Sequence, residues 1–448
     1  MQARLWRSDA PVKPPPLFPG QEKRIAVLDD KEIAPASTVA IVGAGQAGAE
    51  VATLLRQHRH QGRIILFGEE SFLPYMRPPL SKAYLASEIG ADALIYKAQA
   101  AYDRAEVELR LGSRVDAIDR EAKQLMLDSG EDVAFDKLVI ATGGRARKLD
   151  APGAGLGNIF YLRTIADVEL LRPQLCAGRR LVIVGGGYVG LEVAAVAVKR
   201  GLKVTVLEGA PRVLARVTAP EVSAFYERFH RAAGVEIRTG VAVIGFAADS
   251  SGAAVGAVQC GDGLEIPADF VLVSVGLVPN TELAEKAGLD IDGGIVVDAF
   301  SRTSDPDIFA IGDCAIHAEH GFLRRKIRLE SVPNALEQAR AAAAFIAGKP
   351  VPAAVAPWFW SDQYDLKLQM AGLSDGYDEL AIRGSTRGSS FIAFYLREGR
   401  VIAADAINRP SEFMASKRLI GDRIKASAAE LADEAVSLKS LIAAAATV

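Results

Sequence analysis

Apolar and polar positions follow two regimes in this chain. Short unbroken apolar runs end on glycine or another small residue, and stretches with helical spacing separate them. The first run, Val39-Ala40-Ile41-Val42, passes directly into Gly43, Gly45 and Gly48, where a helical pattern begins at once. A further run, Arg63 to Phe67, closes on Gly68-Glu69 and places an acid 26 residues beyond Gly43. The pattern predicts strand, turn, helix, strand and acid, the context a dinucleotide fingerprint requires. Gly43 permits the tight turn, Gly45 lets backbone approach a pyrophosphate, and Gly48 lets the helix pack closely on the strand. The helix N-terminus offers unpaired N–H groups and partial positive charge to phosphates, and Glu69 can accept hydrogen bonds from both ribose hydroxyls.

The same pattern recurs 142 residues later. Arg180 to Val184 leads into Gly185, Gly186, Gly187 and Gly190, a helix follows, and the strand Lys203 to Leu207 ends at Glu208. Two fingerprints so far apart predict two nucleotide-binding domains. Glu208 would bond a free ribose 2′-hydroxyl and repel a 2′-phosphate, which favours NAD over NADP. Arg212 and Arg216, just beyond, read as surface arginines after a turn. Three more apolar runs complete the pattern: Asp136–Gly144, Phe270–Gly276 and Asp307–Asp313, the last ending in Gly-Asp. They suggest a nucleotide domain split by an inserted second one. The predicted fold is α/β, with two Rossmann-like domains and a C-terminal α+β domain. The boundaries are 37–142 with 275–352 for the split domain, 143–274 for the insert and 353–448 for the tail. Residues 1–36, interrupted by Pro11, Pro14, Pro15, Pro16 and Pro19, read as a disordered leader without a secretion or transit signal.

Composition narrows the function classes. A formal net charge of −3 disfavours a polybasic nucleic-acid binder over the whole chain. No apolar run approaches the ~18 residues of a membrane span. Three widely spaced cysteines, Cys176, Cys260 and Cys314, make no disulfide scaffold and no CxxC pair, which fits a reducing, cytoplasmic setting. The five histidines add little. His317 and His320 have i,i+3 spacing, but no further histidine is near, so no metal site is expected. His230 reads as a helix-surface residue.

Taken together, GAGQAG, Arg77–Leu85, ATGGR, VGGGYVGLEVA, Val275–Asn280, IGDC, Glu330–Ala339 and the tail segment Pro357–Leu373 resemble the oxygenase-coupled NADH–ferredoxin reductases. The resemblance covers about 38–448 and implies a glutathione-reductase-like arrangement binding FAD and NADH. It implies an FAD site at Gly43, Gly45, Ala47, Gly48 and Glu69, with Val115, Arg145, Arg163, Asp313 and Val332 along the flavin. Lys82 matches a lysine near the flavin's reactive ring edge, and Glu192 the acid that pairs with it and helps place the nicotinamide. Gly185, Gly187, Gly190 and Glu208 match the NAD site, and Trp360 an aromatic beside the isoalloxazine where ferredoxin approaches.

The implied activity is electron transfer from NADH through FAD to an acidic two-iron, two-sulfur ferredoxin, which serves a haem monooxygenase or another oxygenase. No cysteine lies in Ser71–Leu85, where related thiol-dependent flavoproteins carry one, so a disulfide reductase or thiol peroxidase is rejected. Two basic clusters stand out: Arg324, Arg325, Lys326 and Arg328, with Arg340 beyond, and Lys417, Arg418, Arg423 and Lys425. Arg340 and Lys417 are the expected docking residues on a monomer or weak dimer, with no specific nucleic acid or membrane partner. The rival readings are an NADH oxidase or diaphorase, and a flavin redox sensor similar to the apoptosis-inducing factors.

Overall fold

The computed structural model describes residues 37–445; the proline-rich leader expected over 1–36 lies outside the described residues. Both fingerprint strands occupy the centre of a five-stranded parallel sheet. In the first sheet Val39–Val42 pairs with Ile64–Gly68 on one side and Lys137–Ile140 on the other, with Val107–Leu111 and Ile308–Ala310 at the edges. In the second, Arg180–Val184 pairs with Lys203–Glu208 and Phe270–Val273, with Glu236–Thr239 and Ile159–Phe160 outermost. The central apolar runs are continuous because both faces are covered: Val39 and Ile41 enter one core, Ala40 and Val42 the opposite one. Short antiparallel sheets over Val115–Ala134 and Val243–Pro267 flank the two parallel ones.

The chain returns to the first sheet after completing the second, since Ile308–Ala310 pairs with Lys137–Ile140. The tail forms a separate antiparallel sheet, in the order Trp358–Gln363, Leu366–Gly372, Arg400–Ile407, Ser390–Arg397 and Glu379–Ser385. One core runs from Leu80 and Leu85 through Leu191 and Phe225 to Leu368 and Phe391, so the tail sheet packs against the second fingerprint region. A buried polar contact fixes the same junction. Thr218 and Tyr395 donate hydrogen bonds to Asp405 at 2.6 and 2.5 Å, and the Ala219 N–H donates to Tyr395 at 2.9 Å. Burial pushes the Asp405 carboxyl up to about 6. None of the described helices is long and apolar enough to cross a membrane.

Candidate active site

Both glycine loops open into one cavity of about 1860 Å³ between the two parallel sheets and the tail. Each loop uses its glycines for separate reasons. Gly43 (φ +117°) and Gly185 (φ +109°) begin the turns, and a Cβ there would lie 2.2 and 2.3 Å from the carbonyl oxygens of Ala141 and Ser274. A Cβ on Gly48 or Gly190 would strike the carbonyl of Gly43 or Gly185 at 2.1 or 2.2 Å, so helix and strand meet only without side chains. At the middle glycines, Gly45 and Gly187, no protein atom lies within 4 Å of such a Cβ. The first and last glycines are therefore required by the protein's own packing, while the middle ones leave room for a ligand. Gly45 and Gly187 cap helices Gln46–Gln57 and Tyr188–Lys199 without any side-chain bond, leaving their first N–H groups facing the cavity.

The acids at the strand ends differ. Glu69 lines the cavity, is exposed, and has no side-chain partner among the described residues. Glu208 is held by backbone, accepting from Gly186 N–H through Oε2 and Ala210 N–H through Oε1, each at 2.7 Å. Of the two arginines beyond it, Arg216 lines the cavity. Arg212 is instead half-buried and tied to Ser223 Oγ and the Ala215 carbonyl, which corrects its reading as a surface residue.

Lys82 and Glu192, 110 positions apart, meet in the cavity wall as an ion pair of 2.8 Å. Glu192 projects from the second fingerprint helix and is almost fully buried; Lys82 follows a short 3-10 turn, Pro78–Ser81. Two hydroxyls complete the carboxylate's shell: Ser81 donates to Oε2 at 2.5 Å and Ser361, from the first tail strand, to Oε1 at 2.6 Å. The sequence reading missed both serines. No local pattern marks a serine whose partner lies more than a hundred residues away.

Arg163 pairs with Asp313 at 2.7 Å, and the Arg163 Nε is buried in the cavity wall with no partner in the described chain. An orphaned donor on an ion-paired guanidinium, together with two open glycine cradles, fits a bound polar cofactor. Val115, Arg145, Ala47 and Val332 line the same cavity; Arg145 also bonds Asn280 and Glu282 at 2.8 and 2.6 Å. Trp360 and Phe359 close the tail side, and Trp358 stacks behind Trp360 with ring centroids 5.6 Å apart. The Lys417 ammonium lies 4.9 Å from the Trp358 ring centre. Arg340 is exposed and does not line the cavity.

Several expectations change. His230 is fully buried, because it bonds Gln363 of the tail sheet, and burial lowers it to about 4. The first basic cluster is not free: Arg324, Arg325, Lys326 and Arg328 pair with Glu319, Asp375, Asp292 and Glu330. His317 and His320 meet edge to face with centroids 5.0 Å apart, and no group of metal-binding residues occurs among the described residues. No cysteine lines the cavity; Cys314 is buried in the turn after Ile311, where its thiol lies 3.3 Å from the Ile311 carbonyl.

Comparison with known proteins adds matches of three kinds. Residues 37–339 match the family described as pyridine nucleotide-disulphide oxidoreductase, and residues 358–442 match the family described as reductase C-terminal. Over 411 residues the chain is 50% identical to putidaredoxin reductase CamA of Pseudomonas putida, covering 91% of this chain and 97% of that one. It is 44% identical over 404 residues to the 5,5'-dehydrodivanillate O-demethylase ferredoxin reductase subunit of a Sphingobium strain, covering 90% and 98%. A crystal structure of the covalent putidaredoxin reductase–putidaredoxin complex superposes with a TM-score of 0.89, covering 92% of this chain and 99% of the reductase.

Proposed function

The chain belongs to the pyridine nucleotide-disulphide oxidoreductase family, and from that premise we infer an NADH:ferredoxin oxidoreductase that carries electrons through FAD to a ferredoxin serving an oxygenase. The observation that carries this reading is one cavity joining both dinucleotide cradles to the tryptophan-bearing tail, with no cysteine in its wall. In a family named for disulphide chemistry, a cavity without a thiol leaves a small external acceptor as the outlet.

Bound FAD supplies the property nicotinamide lacks: it accepts two electrons together and releases them singly. The first cradle, Gly43 to Gly48 with Glu69, holds its adenosine half, and Arg163, Asp313, Arg145, Val115 and Val332 hold the flavin half. The second cradle, Gly185 to Gly190, receives NADH. Glu208, fixed by two backbone N–H groups, presents its remaining lone pairs to a ribose 2′-hydroxyl and repels a 2′-phosphate. Hydride transfer depends on distance and orientation, so positioning is the protein's main task. Glu192 performs it at the nicotinamide, and Lys82 neutralises the carboxylate at the flavin-side wall. Trp360 offers the aromatic surface next to which the ferredoxin docks, with Lys417 and Arg340 steering an acidic partner.

The return of Ile308–Ala310 to the first sheet supports a division into a split FAD domain, an inserted NAD domain and a tail. The test is NADH-driven reduction of a cytochrome by the purified holoprotein, with and without added two-iron ferredoxin. The expected rate depends on ferredoxin; a rate independent of it overturns the reading in favour of an oxidase or diaphorase.

A further inference from the structure

The shell of Glu192 does not end at Ser361. Ser361 and Gln363 are two positions apart on the strand Trp358–Gln363 and therefore share a face, and both are fully buried. Gln363 Nε2 donates to Ser361 Oγ at 3.2 Å. Gln363 Oε1 lies 2.8 Å from His230 Nε2, and His230 Nδ1 lies 3.0 Å from the Tyr364 hydroxyl. Donor chemistry allows one direction through this series. The Ser361 hydroxyl donates to the carboxylate, so its oxygen accepts from the Gln363 amide NH₂. The amide oxygen then faces His230 and must accept from an Nε2–H. The unprotonated Nδ1 in turn accepts from Tyr364.

Burial pushes His230 down to about 4, consistent with a neutral ring carrying one proton. Tyr364 holds its place through a positive φ of +58° and stacks on Phe229, with the Lys199 ammonium 5.8 Å from its ring centre. The series joins three parts of the molecule: the fingerprint helix with Glu192, the helix Pro220–Ala232 with His230, and the tail strand. Each donor in it points toward the carboxylate.

We propose that Tyr364, His230, Gln363 and Ser361 form a positioning relay, in which one imidazole tautomer sets the Gln363 amide and the Ser361 hydroxyl and so fixes the Glu192 carboxylate toward Lys82. The amide of Gln363 interrupts any proton path, so the relay orients and does not conduct. The proposal rests on the role assigned to Glu192 above. It makes the tail a contributor to the NADH side of the reaction as well as to partner docking.

Two measurements test it. In the holoprotein labelled with ¹⁵N-histidine, His230 is expected to give the Nε2–H tautomer and to remain neutral at pH 7; an Nδ1–H ring overturns the relay. Single-turnover reduction of the bound flavin by NADH supplies the second readout, together with equilibrium binding of NAD⁺. Ser361→Ala is expected to slow the limiting reduction rate roughly tenfold, as for loss of one buried charge-assisted hydrogen bond. NAD⁺ affinity and flavin content should change less than about twofold. His230→Leu should slow reduction by a smaller factor, and His230→Gln, which retains an N–H toward Gln363, should restore it. Equal loss in Leu and Gln variants, or loss of flavin in both, overturns the relay. Glu192→Gln separates the two levels. Slow reduction in that variant with unchanged Ser361→Ala overturns the relay alone; unchanged reduction in Glu192→Gln overturns the role of the carboxylate and the relay with it.

Discussion

Set side by side, the sheet around Gly43 and the sheet around Gly185 share the order of four of their five strands, a turn of positive φ and an unfilled middle glycine, yet their strand-end acids are finished differently. Glu69 stands exposed with no side-chain partner among the described residues, while Glu208 is gripped by the backbone of Gly186 and Ala210. A preset carboxylate suits a ligand that arrives and leaves at each turnover, because little ordering remains to be done on binding. An open one suits a ligand that stays and completes the wall. The tail extends the asymmetry: it packs on the second region through Thr218, Tyr395 and Asp405, and through Ser361 to Glu192. The tail and the second region thus share one packed core.

The largest expected effect breaks the first loop. Gly43→Ala forces a Cβ onto the Ala141 carbonyl at a left-handed position and should reduce flavin content tenfold or more, roughly the cost of one strained residue plus a clash. The ratio of flavin to protein absorbance in the purified variant measures it. Next, Glu208→Ala should raise the KM for NADH about tenfold with little change in kcat, and narrow the preference over NADPH. Glu69→Ala should leave the KM for NADH unchanged and weaken flavin retention only modestly.

Asp405 probes the bond between tail and second region. Its folded pKa, about 6, lies above the ordinary 3.8, so the native state binds the proton more tightly. Its contribution to stability is present below pH ~3.8 and lost as pH rises through about 6. His230 has the opposite sign: lowered from 6.5 to about 4, it costs stability as pH falls through that window. Wild-type stability therefore mixes the two, and the comparison with Asp405→Asn isolates one. The variant should gain relative to wild type between pH 4 and 7 by on the order of 2–3 kcal/mol, read from urea midpoints. The smallest effect is electrostatic. Lys417→Glu and Arg340→Glu should lower the ferredoxin association rate a few-fold at low salt, with the difference fading at high salt.

What the sequence revealed was local. The glycine spacings report contacts between neighbouring segments, and the parallel strands appear as unbroken apolar runs because both faces are buried. Lys82, Asp313 and Trp360 could be singled out only through family resemblance, since alone each has an ordinary structural explanation. Ser81, Ser361 and Gln363 carry no local signal, and His230 reads as a surface residue, because their significance lies in pairings 111 to 169 residues long. The countercharges of the run Arg324 to Arg328 are both near and far in sequence: Glu319 and Glu330 lie beside it, while Asp292 and Asp375 come from other segments.

The division of labour between the two loops is tested most directly on Gly185→Ala, followed by the absorbance of its bound flavin under anaerobic conditions. The account predicts a full flavin spectrum that NADH bleaches very slowly and dithionite bleaches completely. Loss of the flavin from this variant, or bleaching by NADH at the wild-type rate, would contradict it.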